Sequence, residues 1–130
     1  MSDSSPLTRF AHQRLDVYRV ALDLFREMEH LAADLPRGHA DLKDQLRRAT
    51  AATVRHIAEG ANRFEPRDKA ARFVLARAEC GECESALQMA EIAIPSCAGR
   101  ARRLRVFADR VAAMLFGLIR RERARLHAPP

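Results

Sequence analysis

Two thiols three residues apart, in Cys80-Gly81-Glu82-Cys83, are the first groups in this chain that could do chemistry. A CxxC serves as a redox pair when it opens a helix after a strand, where the helix dipole lowers a thiol pKa. It serves in a structural zinc site when two further ligands complete a tetrahedron. Here it sits inside a helical stretch, no strand pattern precedes it, and Cys97 is the only other thiol. The pattern favours two small apolar fillers on a core stripe. His56 and Glu59 form a second group on one helix. Di-iron bundles use Glu-x-x-His twice, plus a Glu from each of two other helices. The order here is reversed and occurs once. Glu79, Glu82 and Glu84 add carboxylates, but no second histidine joins them. His56 is expected to face the seam between the second and third helices and to bond a neighbour such as Glu84. No Gly-x-Ser-x-Gly, phosphate loop or Gly-x-Gly-x-x-Gly occurs. No catalytic residue, metal ligand or cofactor is therefore expected, and the chain reads as a non-enzyme.

The third group is a run of arginines. From Pro95 to Pro130 there are nine arginines against Asp109 and Glu122, a surplus of seven positive charges. The whole chain carries +6, so the preceding 94 residues sum to −1. A basic rod on a near-neutral body suits a polyanion or an assembly surface better than a catalytic cleft. The candidates for RNA or DNA contact are Arg102, Arg103, Arg105, Arg110, Arg120, Arg121, Arg123 and Arg125. They should meet phosphates rather than bases, because aromatic platforms are scarce: Phe107 falls on the core stripe and only Phe116 points outward. Six to ten such contacts would lose roughly 10³–10⁵ in affinity between 50 and 200 mM salt. An acidic protein partner, or carboxylates of a neighbouring copy, would use the same charges. Residues 16–34 hold two arginines against five carboxylates.

These groups must be positioned by helices. Ala, Arg, Leu and Glu dominate and Trp is absent, which favours helix. At 130 residues the chain makes one domain, 1–130, large enough to bury roughly two-thirds of its unfolded surface. Three breaks divide it: Leu35-Pro36-Arg37-Gly38, Gly60 to Pro66, and Ile94 to Gly99. They leave helices near 14–34, 39–62, 66–94 and 99–126, with flexible ends at 1–9 and 127–130. Pro66 suits a first helical position. Ser96 is a candidate cap for the fourth helix, which could begin anywhere from Ser96 to Arg100. Short loops between long helices imply an all-α, antiparallel up-down four-helix bundle. No apolar run approaches the ~20 residues of a membrane span. Three cysteines without an export signal suggest a reduced, cytoplasmic setting.

The inward stripes follow helical spacing. The second helix aligns Leu42, Leu46, Ala49, Thr53, Ile57 and Gly60. The third aligns Phe73, Ala76, Cys80, Cys83, Leu87, Ala90 and Ile94. The fourth aligns Leu104, Phe107, Ala108, Val111, Met114, Leu115, Leu118 and Ile119. The first helix carries two stripes, Leu15, Tyr18, Leu22, Phe25 and Val17, Val20, Ala21, Leu24, Met28, Leu31. Together they cover roughly 220°, against the ~100° that one core needs. The surplus predicts a homo-oligomer with Val17, Val20, Leu24, Met28 and Leu31 in the interface. The other reading is that this helix is simply the most buried of the four.

Gln45-Leu46-Arg47-Arg48-Ala49 and Ile57-Ala58-Glu59-Gly60-Ala61-Asn62-Arg63 resemble the signature of the small bundle proteins encoded by intervening sequences in bacterial 23S rRNA genes. Leu15-Asp16-Val17-Tyr18, Glu82-Cys83-Glu84 and Met114 to Ile119 are similar to other parts of that pattern, so the likeness covers about residues 10–122. His56 stands where the family usually has Asn, Ala52 and Val54 replace Ser and Pro, and Ala78-Glu79 replaces Gly-Ser. The resemblance implies a bundle assembled as a ring, commonly a pentamer, with no established enzymatic activity. It also implies kinship with the accessory variability protein of diversity-generating retroelements, a basic pentamer that binds nucleic acid and a reverse transcriptase. Leu46, Arg47, Ile57, Ala58, Glu59, Gly60 and Arg63 are the family-motif positions, and their roles read as structural. Gly60 permits either close helix approach or a left-handed cap. Glu59 could cap, or pair with Arg63 or Arg55.

Overall fold

The structure is a computed structural model describing residues 10–129. The expected flexible segment 1–9 and Pro130 lie outside the described residues. Four long helices form: α1 (Asp16–Asp34), α2 (Ala40–Asn62), α3 (Pro66–Ala93) and α4 (Ala98–Leu126). Short 3₁₀ turns at Ala11–Arg14 and Pro95–Cys97 lead into α1 and α4. The chain is all-α among the described residues. No helix among them is long and apolar enough to cross a membrane.

Local chemistry sets the ends. Pro66 opens α3, where its missing N–H costs nothing. Gly38, the only described residue with positive φ (97°), turns the chain between α1 and α2. Ser96 does not cap α4. It lies in the preceding 3₁₀ turn, and the helix begins at Ala98 without a side-chain cap.

The helices pack in a closed circuit of α1 on α2, α2 on α3, α3 on α4 and α4 back on α1. Cross-helix pairs fix the register. Arg47 meets Glu29 while Asn62 meets Ala11. Thr50 meets Cys83 and the Gly60 carbonyl meets Lys69. Glu91, Glu84 and Cys80 meet Arg102, Arg105 and Ala108. The core contains the expected inward stripes of α2, α3 and α4, apart from half-buried Leu42, Phe107, Met114 and Leu118. Buried Thr50 and Thr53 donate their hydroxyls to the carbonyls of Leu46 (2.7 Å) and Ala49 (2.8 Å), so neither is orphaned.

The α1 stripe expected to face a second copy is instead part of this core. Val17, Leu24, Met28 and Leu31 are buried within the single chain, and Val20 is half-buried against them. The other stripe is also partly absorbed. Leu15 and Tyr18 pack on the core, and His12 of the 3₁₀ turn lies 4.7 Å from the Tyr18 ring. No large apolar residue of α1 is left exposed. The exposed ones lie on α3 (Val74, Leu75, Met89, Ile92) and α4 (Val106, Phe116, Leu126), with Phe10 and Phe64 outside the helices.

At Gly60, α2 packs directly against Arg72 and Phe73 of α3. A Cβ built there would lie 2.7 Å from Cε1 of buried Phe73. The left-handed cap is thus not used, and close approach is the role of this glycine. Gly60→Ala should destabilise the chain by about 1–3 kcal/mol through overpacking. Urea denaturation reads this directly, and adding Phe73→Leu should recover part of the loss. A neutral Gly60→Ala would contradict the packing described.

Candidate functional site

The arginines of α4 fall where its inward stripe leaves room, and they divide into two classes. Arg105 is half-buried: its Nε donates to Glu84 (2.8 Å) and its Nη1 to Glu91 (2.9 Å). Arg102 reaches Glu91 at 3.5 Å. Arg100 pairs with Asp34 of α1 at 2.8 Å. Arg121 and Arg125 flank Glu122 at 3.5 and 3.3 Å. Glu122 is fully buried (0% exposed), a carboxylate that needs both neighbours. Four of the eight candidates, Arg102, Arg105, Arg121 and Arg125, are therefore engaged by carboxylates of the same chain. Arg103, Arg110, Arg120 and Arg123 are exposed and have no carboxylate partner among the described residues.

One exposed ring joins the second class. Phe116 is 51% exposed, and the guanidinium carbons of Arg77 (α3) and Arg120 each lie 5.8 Å from its ring centroid. Phe64, in the loop between α2 and α3, is 94% exposed beside Arg63. The scarcity of aromatic platforms inferred from α4 alone overlooked Phe64. The Gly-Ala-Asn-Arg-Phe-Glu-Pro break was its signal, since a phenylalanine inside turn chemistry has no stripe to join.

The motif residues run along α2 and end at its corner with α3. Leu46 and Ile57 are buried, and Ala58 is half-buried. Arg47 forms a fork on Glu29, Nε to Oε2 and Nη2 to Oε1, both at 3.0 Å. That bond raises the guanidinium pKa further. Lys69 donates to the carbonyls of Gly60 (3.2 Å), Ala61 (2.8 Å) and Arg63 (2.9 Å), closing the open end of α2. Burial lowers the Lys69 pKa, and Glu122 opposes that shift. Asn62 accepts from Ala11 N–H (3.0 Å) and donates to Ala58 C=O (2.9 Å) and to His12 Nδ1 (2.8 Å). It ties the segment before α1 to the end of α2. Sequence reasoning gave roles to neither Asn62 nor Lys69. Lys69, one of two lysines in an arginine-rich chain, carried a compositional signal.

Two expected partners are corrected. His56 bonds Glu59 of its own helix at 2.8 Å, not Glu84, which Arg105 holds. Glu59 pairs with His56 and Arg72 (3.9 Å), not Arg55 or Arg63. Register explains both, because the α2–α3 pairing brings Arg72 level with Glu59. Among the described residues no group of three or more His, Cys, Asp or Glu could hold a metal. Burial pushes the Cys80 thiol up to about 12 and Cys83 up to about 11, so both stay protonated at neutral pH. A cleft of about 640 Å³ is lined by Phe25, Glu29, Arg47, Arg55, Glu79 and neighbours, with no serine, cysteine or histidine in its wall.

The family model described as 23S rRNA-intervening sequence protein matches residues 13–117. The chain belongs to this family. No curated protein matches it significantly. The match takes in the whole α2–α3 corner and α4 up to Gly117. Arg120, Arg121, Arg123 and Arg125 lie beyond it. In this intervening-sequence protein, then, Arg103, Arg110 and Phe116 stand within the family's span and the last basic turns stand outside it.

Two measurements check this site. Arg105 holds the Glu91 carboxyl below its ordinary value near 4.5. A lowered carboxylate pKa adds stability above that value, and the gain is lost as pH falls through the folded pKa. Arg105→Gln should therefore destabilise the protein at neutral pH and lose its effect as the pH falls from the ordinary carboxylate value through the lowered one. A pH-independent difference in melting temperature would refute the pairing. Native Cys80 and Cys83 should resist alkylation at pH 8 and react after unfolding, as mass spectrometry would show.

Proposed function

We propose that this protein is a non-enzymatic, self-associating, antiparallel up-down four-helix bundle of the cytoplasm that holds RNA or DNA by its phosphates. The observation that carries the reading is the set Arg103, Arg110, Arg120 and Arg123. Each is exposed, and none has a carboxylate partner among the described residues. They span 20 residues of α4, about 30 Å at the rise of a helix, which is long enough to meet several phosphates. Four contacts are fewer than the six to ten expected from the arginine run, because the chain's own acids hold the rest. The salt dependence shrinks accordingly: four phosphates predict a loss of about 150-fold in duplex affinity between 50 and 200 mM salt. Replacing the four arginines by glutamine should abolish binding while leaving the circular-dichroism melt unchanged. No binding by the parent protein at 50 mM salt, or full binding by the quadruple variant, would sink the reading. The implied kinship with the accessory variability protein points the same way, and a reverse transcriptase gene beside this one would strengthen it.

A second reading, a scaffold in which assembly is the function, draws on a different face. The outer arc of α3 between Ala71 and Ala93 presents Val74, Leu75, Ala78, Ser85, Met89 and Ile92, with Glu82 the one charge among them. Ile92 is 82% exposed. Self-association through α3, up to the ring of five that the resemblance implies, would cover this arc. Ile92→Glu with Met89→Lys should then convert the assembly to single copies in sedimentation velocity. A parent protein already monomeric at micromolar concentration would remove the assembly reading. It would leave phosphate binding untouched.

A further inference from the structure

We infer that Phe116, Arg77 and Arg120 form a stacking platform for single-stranded nucleic acid, which narrows the phosphate-binding reading above and rests on it. Phe116, Arg120 and Arg123 recur at i, i+4 and i+7, so they share one face of α4. Arg77 joins them from α3, its guanidinium at the same 5.8 Å from the ring as that of Arg120. None of the three arginines pairs with a carboxylate among the described residues. Asp109 lies on the same face two turns earlier, and Glu122 is buried and held by Arg121 and Arg125. Charge near the ring is therefore predominantly positive.

A half-exposed phenyl on an otherwise arginine-rich face gains nothing from water. What it offers is a π surface. A guanidinium beside a phenyl keeps its N–H donors free for phosphate oxygens, and its own plane can stack on a base. The cluster thus presents both parts of a nucleotide with their natural partners: a flat apolar surface for the base and fork-shaped cations for the phosphate. A duplex cannot use it fully, since its bases are already stacked on each other. A single strand can, and stacking is indifferent to which base is offered. At 5.8 Å the guanidiniums lie over the ring at the outer range of cation–π contact, so an incoming base either stacks on a guanidinium plane or takes the place of one on the ring.

The chain has no tryptophan, so Phe116→Trp installs a single reporter at the site. Its emission should be quenched by a 12-nucleotide oligoadenylate and not by a 12-base-pair duplex. Phe116→Leu keeps apolar bulk and should weaken oligoadenylate binding about 5- to 150-fold while leaving duplex affinity unchanged. Arg77→Lys with Arg120→Lys keeps the charge, loses the planar forks and should show the same selective loss. Circular-dichroism melts confirm that each variant is folded. Oligoadenylate affinity unchanged in Phe116→Leu, or equal losses for both probes, overturns the platform and leaves phosphate binding standing. If the parent protein binds neither probe, the platform and the phosphate-binding reading fail together.

Discussion

The corner where α2 meets α3 sets the geometry of the rest. Phe73 lies against the bare Cα of Gly60, with 2.7 Å to the position a methyl group would occupy. That contact lets α3 approach α2 at one end. Lys69, one turn before Phe73, then reaches three carbonyls at the end of α2. An ammonium there answers both the orphan acceptors and the negative end of the helix dipole. Asn62 attaches the 3₁₀ turn before α1 to the same place. One corner thus fixes the α2–α3 register and the path of the chain into α1. Within the family signature, Ile57 and Gly60 are buried against the core, Glu59 pairs with His56 and Arg72, and Asn62 ties the entry of α1 to the end of α2.

From that corner the register runs along α3 to α4. Small buried residues line both α3 (Ala76, Cys80, Cys83, Ala86, Ala90) and α4 (Ala101, Ala108), and the Cys80 thiol reaches the Ala108 backbone, so the two helices lie close. Close backbones bring the flanking side chains level. Glu84 and Glu91 of α3 therefore meet Arg105, and Cys80 donates to the Ala108 carbonyl. The same closeness puts Arg77 beside Phe116. The charge pattern of the surface follows from backbone spacing in the core.

Much of this was legible in the residue order. Four helices could be read because Pro36, Gly38, Pro66 and Pro95 punctuate long amphipathic stretches, and three of the four inward stripes are those that helical spacing predicts. The first helix misled because an apolar arc shows how much must be covered, not what covers it. A 3₁₀ turn and two neighbouring helices cover it here. The outer arc of α3 escaped notice for the converse reason. Val74, Leu75, Met89 and Ile92 are interleaved with alanines and serine, so no second stripe stands out beside the core stripe. Which arginines stay free was legible only around Glu122, three residues before Arg125 on the same helix, and not for the others. For those it depends on Glu84, Glu91 and Asp34 arriving from other helices, and sequence spacing within α4 carries no record of them.

Charge counting alone would make α4 a uniform basic rod. The structure makes it a rod neutralised unevenly. Toward its start, Arg100, Arg102 and Arg105 are drawn inward by Asp34, Glu84 and Glu91, and near its end Arg121 and Arg125 screen buried Glu122. Exposed or buried, these pairs remove their arginines from competition for a polyanion. What remains is a sparse set. Arg103 and Arg110 lie a little under two turns apart, and Arg120 and Arg123 sit with Phe116 near the far end. Sparse cations favour a ligand that can bend to reach them, whereas a stiff duplex presents phosphates at fixed spacing. The uneven neutralisation of α4 and the exposed ring of Phe116 therefore bear on the same proposed partner from two sides: one from where charge is left unpaired, the other from where a flat apolar surface is left in water.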